Sequence, residues 1–549
     1  MTKFDEWEDG LRRAFDEKGV PILRVDSRSY PDEINVVLYV DEPDFRLAVD
    51  VASELEATVQ IAGELPRFLV VRKAPADLSS PTRASSVSGV HDSRVSELVR
   101  LISAKSRVSS AEPSLVYLAD ARASLSTMTA GRHHLVFGRR GAGKSALLME
   151  ARRQVLAEGA VISWTNVQTL RSESPQRIFL FILDDILRAL IGARANVSAR
   201  SVLALGLSEV HEQVRLLLNL DETSVAEAQR VIPRAQRALS QYLEVEGVRV
   251  FVFVDDFYYV SRDVQPQILD MIHGSIRDAN VWLKIASIRH LTNWWQASPP
   301  TGLQSGQDAD LIDLDVTLQD PEKASGFLEG ILSEYARRVG ISSLSRIFNR
   351  SALDRLVLAS GAVPRDYMVL AVSAINRALR RPKARVAGVQ DVNQAAGDAA
   401  SSKIQELEED MAANSGVAQR TLQTLAVVRS FCLDETSFTY FLVGYRDKES
   451  NVQAYSRLTD LMDVRLIHLV DAGVSDPSQA GSRFEAYMLD LSQFSGSRLK
   501  QKINVLDFED GLFVSKQTRN AAAAQTGGTS RELIGILRKS PVFELSRLS

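Results

Sequence analysis

Short apolar runs that stop at glycine or a polar residue alternate, over the middle of this chain, with segments in which apolar residues recur every three or four positions. The first pattern reads as buried strand, the second as a helix packed on one face. Leu135-Val136-Phe137, Ala160–Thr165, Val248–Val254 and Trp282–Ile288 are the strand-like runs. Between them Phe179, Ile182, Leu183, Ile186, Leu187 and Leu190 mark one long helical face within a mostly helical stretch, 175–245. Strands alternating with helices predict a parallel sheet with helices on both faces.

The flanks read differently. At the start, Phe4, Trp7, Leu11 and Phe15 have helical spacing. Two strand-like runs follow, Ile34–Val40 and Leu69–Val71, with Phe45, Val49, Ala52 and Leu55 at helical spacing between them. This predicts a small α+β domain over 1–75. Residues 76–94 are rich in Ser, Pro and Gly and read as linker, so 76–112 is assigned to a linker and a helix. The α/β core is placed at 113–318 and a helical lid at 319–400, with Thr317–Leu332 and Ser351–Arg380 its clearest helices. Over 401–495 three helical runs (418–431, 435–444 and Tyr455–Met462) precede strands at Arg465–Val470 and Arg483–Asp490, the order of a winged helix. Residues 496–549, with Ala521–Ala524 and a last helix at Ser530–Arg538, are expected to be a C-terminal tail.

Composition alters this picture little. The 549 residues are 45% hydrophobic and 24% charged, ordinary for a globular protein of several domains. The net charge of −4 gives no overall pull toward nucleic acid or lipid surfaces. Residues 1–80 hold 17 acidic against 10 basic side chains, so the first domain is the acidic one. The one cysteine, Cys432, lies in an apolar stretch and reads as a small buried hydrophobe. The N-terminus lacks a signal-peptide pattern, and no run approaches membrane-span length. A cytoplasmic protein without a membrane partner is expected. No Cys/His cluster has metal-site spacing.

The chemistry is carried by Gly138, Arg139, Arg140, Gly141, Ala142, Gly143, Lys144 and Ser145, which match G-x-x-x-x-G-K-[ST] between a strand and a helix. Glycine lets the backbone wrap a phosphate, and the amides at the helix start, through Ala146, point at the anion. Lys144 would neutralise phosphate oxygens, and Ser145 would hold Mg²⁺. ATP and Mg²⁺ are therefore the expected ligands. The Val248–Val254 strand runs into Asp255-Asp256. Asp255 would join Ser145 on the metal, and Asp256 would orient or deprotonate the attacking water. Arg289, at the end of the next strand, and Arg365, after Gly361-Ala362-Val363-Pro364, are cations able to reach the same phosphates. In the third helix of the winged-helix segment Arg457 is set against Asp460, which is no basic face for a duplex.

This order of motifs resembles the AAA+/STAND superclass of P-loop ATPases, especially the branch shared by origin-recognition ATPases and signalling NTPases. The resemblance covers roughly 113–495. It implies that Arg289 corresponds to the Arg of a Thr-Thr-Arg strand end, and that Gly361–Pro364, with Arg365 after it, corresponds to a nucleotide-contacting Gly-x-Pro. It further implies a slow ATPase, because Asp256 stands where AAA+ proteins usually carry Glu. Three functions follow as expectations: a nucleotide switch that forms a homo-oligomer or regulates a protein partner, in bacterial defence or signalling; a DNA-associated initiator or loader; and a nucleotide-stabilised scaffold. DNA is the less favoured partner.

Overall fold

The computed structural model describes residues 10–548 except 13, 16–17, 19, 30–32, 41–43, 57–65, 75–88, 106–123, 194–201, 411–414, 476–481, 496–502, 510–511, 518–519 and 528–529. Phe4, Trp7 and most of the expected 76–94 linker lie outside the described residues. The chain divides into two compact units, Met1–Ser88 with Ala336–Ser342, and Gly89–Tyr335 with Ser343–Ser549.

In the first unit, β1 (Arg24–Ser29), β2 (Ile34–Val40), α1 (Phe45–Leu55) and β3 (Arg67–Lys73) form a three-stranded sheet and its helix. The sheet order is β1-β2-β3, antiparallel then parallel. Leu11, Phe15, Val36, Leu38, Val40, Ala48 and Val51 fill its core.

The second unit is built on β4 (His133–Phe137), α2 (Lys144–Ala157), β5 (Val161–Asn166), α3 (Pro175–Ala193), α4 (Val202–Leu218), α5 (Val225–Glu246), β6 (Val250–Asp255), α6 (Gln265–Ile276), β7 (Val281–Ser287) and β8 (Ala309–Asp313). All five strands are parallel, in the order β8-β4-β7-β6-β5. Every residue of β6 is buried, as a strand covered by helices on both faces requires. Strand β8 has no counterpart in the sequence reading. Its acids, in Ala309-Asp-Leu-Ile-Asp313, mask a half-buried edge strand. Within β7, Lys284 is fully buried and donates to the carbonyls of Ala130 and Arg132 and to Nδ1 of His134, each at 2.8 Å. That set of acceptors lets an amine sit in an otherwise apolar strand.

Four helices follow: α7 (Pro321–Arg338), α8 (Arg350–Ser360), α9 (Pro364–Leu379) and α10 (Val389–Asp410). Then come α11 (Ser415–Ser430), β9 (Tyr440–Gly444), α12 (Tyr445–Ser450), α13 (Val452–Asp463), β10 (Ile467–Ser475) and β11 (Arg483–Leu489), with sheet order β9-β11-β10. This is a winged-helix arrangement. The helix expected over 435–444 is instead strand β9, because Phe438-Thr-Tyr-Phe-Leu-Val443 is a β-branched and aromatic run.

The span 496–549, expected as a C-terminal tail with a last helix, carries regular structure. It contains another antiparallel sheet, β12 (Asn504–Glu509), β13 (Leu512–Gln517) and β14 (Asn520–Gly527), then α14 (Ser530–Leu537). Leu442 and Val542 bridge, and buried Phe543, Leu545 and Leu548 pack beyond them. Among the described residues no helix is long and apolar enough to cross a membrane.

Candidate functional site

Strand β4 ends at Phe137 and α2 begins at Lys144, so Gly138–Gly143 form the turn between strand and helix at the C-terminal sheet edge. Gly141 and Gly143 hold φ of +80° and +99°, the left-handed region that glycine enters freely. A Cβ on Gly141 would stand 2.7 Å from Cβ of Arg365 and 3.1 Å from Cγ1 of Val363. The N–H of Arg365 donates to the Gly141 carbonyl at 3.3 Å. The turn before α9, with Pro364 at its first position, therefore touches the loop directly.

Lys144 is buried, and its Nζ donates to the carbonyls of Gly138 (2.8 Å) and Arg139 (3.1 Å). Burial lowers its pKa, while Asp256, Asp315 and Asp255 pull it the other way. The Ser145 side chain faces Asp255, the last residue of β6. Burial, joined by the charge of Asp256, pushes the Asp255 carboxyl up to about 6, against Ser145 and Lys144. A hydroxyl beside a carboxylate is a fitting pair of hard oxygen donors for Mg²⁺. Among the described residues no group of three or more His, Cys, Asp or Glu side chains is arranged to hold a metal ion, so a cation here would complete its shell with phosphate and water oxygens.

Asp256 holds φ +58°, unusual for a residue with a side chain. It starts the turn Phe257–Tyr259, which buries Phe257 and carries Tyr258 to the loop. The Tyr258 ring centre lies 5.2 Å from the Arg140 guanidinium carbon and 6.0 Å from Nζ of Lys144.

Arg139 was assigned to nucleotide contact from sequence, yet its polar groups are engaged with protein. Its N–H donates to Asp315 Oδ1 at 2.8 Å, its Nε to the same oxygen at 3.3 Å, and its Nη2 to the carbonyls of Val316 (2.8 Å) and Gly361 (3.1 Å). Asp315 lies two residues past β8, and that nearby acid claims the arginine. Arg289 opens a turn after β7; it is mostly exposed, 3.9 Å from Asp313 Oδ2 and 6.0 Å from the Phe137 ring. It stands at the same sheet edge as the loop.

The winged-helix segment also reaches this place, a contact the sequence reading missed. A Cβ on Gly361 would fall 2.1 Å from Cε1 and Nδ1 of His468, in β10. Asp366, next to Arg365, accepts from Nη1 of Arg465 at 2.6 Å. Lys403 lies 2.9 Å from Asp490 and 3.8 Å from Asp366, and Nε2 of His468 is 2.7 Å from Asp490. All five side chains are buried. Burial alone would raise the Asp490 carboxyl; Lys403 and His468 overcome it and hold that group well below the usual range. On α13, burial raises the Asp460 carboxyl to about 6 against Arg420 and Arg262. Burial also raises Asp463, helped by Asp460 and Asp315 and opposed by Arg140 and Arg139. Of α13 only Val452, Gln453 and Ser456 are exposed. Histidine and acids spaced singly along a half-apolar sequence give no periodic signal, which is why this convergence was not legible.

No family model matches the chain, and no curated protein does. Among solved structures, it is similar to the Orc1 protein of Aeropyrum pernix in complex with DNA, at 13% identity over 75% of this chain and 92% of that one, TM-score 0.33. It is similar also to Cdc6p of Pyrobaculum aerophilum, at 13% identity over 76% and 95%, TM-score 0.28. A third is Drosophila ORC bound to DNA, at 12% identity over 72% and 91%, TM-score 0.26.

Proposed function

We propose that this chain is an AAA+/STAND-like ATP-binding switch with slow hydrolysis, in which nucleotide sets the placement of the lid helices and the winged-helix segment relative to the P-loop core. One observation carries the reading. The phosphate loop, the Gly361–Arg365 turn and the β10 strand of the winged-helix segment all meet within hydrogen-bonding or van der Waals reach. A ligand seated among them touches every part that can move.

The roles we assign are these. Amides from Gly141 to Ala146, at the positive end of α2, would hold the phosphates. Lys144 would leave its two loop carbonyls for phosphate oxygens, and Arg365 would meet the nucleotide from the lid. Ser145 and Asp255 would hold Mg²⁺, which supplies charge neutralisation when bound. Asp256 would orient water, with a carboxylate one methylene shorter than the Glu common in AAA+ proteins. Arg289 would answer charge at the sheet edge. That shorter acid and the exposure of Arg289 favour slow turnover.

The burial of Ala454, Leu458 and Leu461 on α13, with six more of its residues half-buried, supports a packing surface over a duplex reader in this conformation. Homo-oligomerisation or control of a protein partner, in the cytoplasm, completes the proposal. Titration with ATP tests it: Lys144→Ala is expected to abolish binding, and Asp256→Asn to bind ATP yet hydrolyse it at least about tenfold more slowly. Unchanged ATP affinity in the Lys144 variant overturns the reading. Light scattering with and without ATP reports the change of assembly.

A further inference from the structure

Gln265 opens α6, just before Pro266, and is fully buried. Its side-chain nitrogen donates to the carbonyls of Val260 (2.8 Å) and Leu291 (3.1 Å), and its side-chain oxygen accepts from the N–H of Asn293 (2.7 Å). Both donors and the acceptor of the carboxamide are engaged, as burial demands. The same face of the helix buries Ile268, Leu269 and Ile272, so an apolar residue would suit this position for packing alone.

The three backbone groups belong to two turns. Val260 closes the turn that Asp256 opens after β6, its N–H donating to the Phe257 carbonyl at 3.1 Å. Leu291 and Asn293 lie in the segment after β7 that begins with Arg289. Within that segment Thr292 Oγ1 donates to the Ile288 carbonyl (2.6 Å) and meets Oγ of Ser287 (2.5 Å), which gives the Arg289 turn its own shape. Phe257, buried in the core, fixes the place of the first turn. Arg289 is mostly exposed, so burial of its side chain does not fix the second. Gln265 ties the second turn to the first. The second segment also flanks Phe137, the last residue before the phosphate loop, with the Arg289 guanidinium carbon 6.0 Å and the Trp294 ring centre 5.2 Å from its ring centre. A shift of this segment would move Arg289 relative to both Asp256 and the loop.

We propose that Gln265 is a positioning residue for Arg289. By bonding to the backbone of both turns it sets where that guanidinium stands relative to the acid end of β6. The inference rests on the nucleotide reading above, which gives Arg289 and Asp256 their roles, and it adds a residue outside every motif of the sequence. Gln265 acts through the backbone on either side of it, so its loss costs rate and spares ATP binding.

The test uses Gln265→Met on the full chain, which keeps length and bulk and removes the three hydrogen bonds. Dissociation constants for MgATP and single-turnover hydrolysis rates are measured beside melting curves, with Arg289→Ala and the double variant for comparison. The Met variant is expected to bind MgATP within about twofold of wild type and to hydrolyse it at least about tenfold more slowly, as a displacement of about 1 Å can cost that much or more. The double variant is expected within about twofold of the rate of Arg289→Ala alone, because the link then has nothing left to position. Amide exchange in the nucleotide-free variant is expected to speed up over 291–293 and to stay unchanged in β6. A Met variant as fast as wild type, a loss of MgATP affinity equal to the loss of rate, unchanged exchange over 291–293, or a double variant slowed by the product of the two single effects overturns the inference. If the Met variant shows no cooperative melting, Gln265→Glu, which keeps the acceptor for Asn293 and loses both amide donors, is judged by the same criteria. Wild-type protein that fails to bind or to hydrolyse MgATP sinks the nucleotide reading and the role of Arg289 with it, whereas wild-type hydrolysis with indifferent Gln265 variants sinks only the role of Gln265.

Discussion

Nη2 of Arg139 donates to the Gly361 carbonyl at 3.1 Å, which joins the phosphate loop to the turn before α9. The same guanidinium serves Val316 and Asp315, so one side chain braces three segments. Arg139→Ala is expected to leave these acceptors without their donor and to destabilise the fold by about 2–3 kcal/mol. A drop in the denaturant midpoint without a change in slope checks it.

Gly141→Ala introduces a methyl where φ is +80° and where Arg365 Cβ already stands 2.7 Å away. The left-handed conformation alone costs a non-glycine residue about 1–2 kcal/mol, and the contact adds to it. The expected outcome is weaker ATP binding with the lid turn displaced from the loop. Calorimetric titration of the variant is the measurement.

The Asp255 carboxyl, pushed up to about 6 by burial first and Asp256 second, gives a pH dependence with a definite sign. The folded protein binds this proton more readily than the unfolded chain does. The group therefore favours folding as pH falls from about 6 toward its ordinary value near 4, and opposes folding above that window. Metal binding needs the deprotonated form, so Mg²⁺-dependent hydrolysis is expected to fall as pH drops through about 6. Raising Mg²⁺ moves the midpoint to lower pH, since metal and proton compete. Rates at two Mg²⁺ concentrations across pH 5–8 decide the matter.

Asp366 and Arg465 are both buried and paired at 2.6 Å. Removing one partner of such a pair costs about 3–5 kcal/mol, because the other charge stays behind. Asp366→Asn is expected to speed amide exchange in β10 far more than in β6. Asp366→Leu combined with Arg465→Met is expected to recover most of the loss, and a double-mutant cycle by hydrogen exchange checks the coupling.

The sheet and its loop were readable because β4, β6 and β7 are continuous apolar runs and because G-x-x-x-x-G-K-S fixes backbone geometry locally. Strand β8 was missed because two acids interrupt its five residues, and β9 because an aromatic run beside a helix lies at the limit of periodicity. Val363 and Arg365 sit against the loop in the structure, while the protein contacts of Arg139 and the approach of His468 to Gly361 depend on residues far apart in the chain. The pairs Arg139–Asp315 and Arg465–Asp366 are 176 and 99 residues apart, and nothing local announces either.

The burial of one face of α13, at Ala454, Leu458 and Leu461, sets a clock as well as a shape. A partner that reads the covered face of this helix meets it only after the helix has come away from Arg140 and Arg262. Its association rate then stops rising with partner concentration and levels off at the rate of that opening. The measured affinity is weaker than the intrinsic one by the fraction of molecules open at any moment. A ligand that raises this fraction accelerates the partner without touching it.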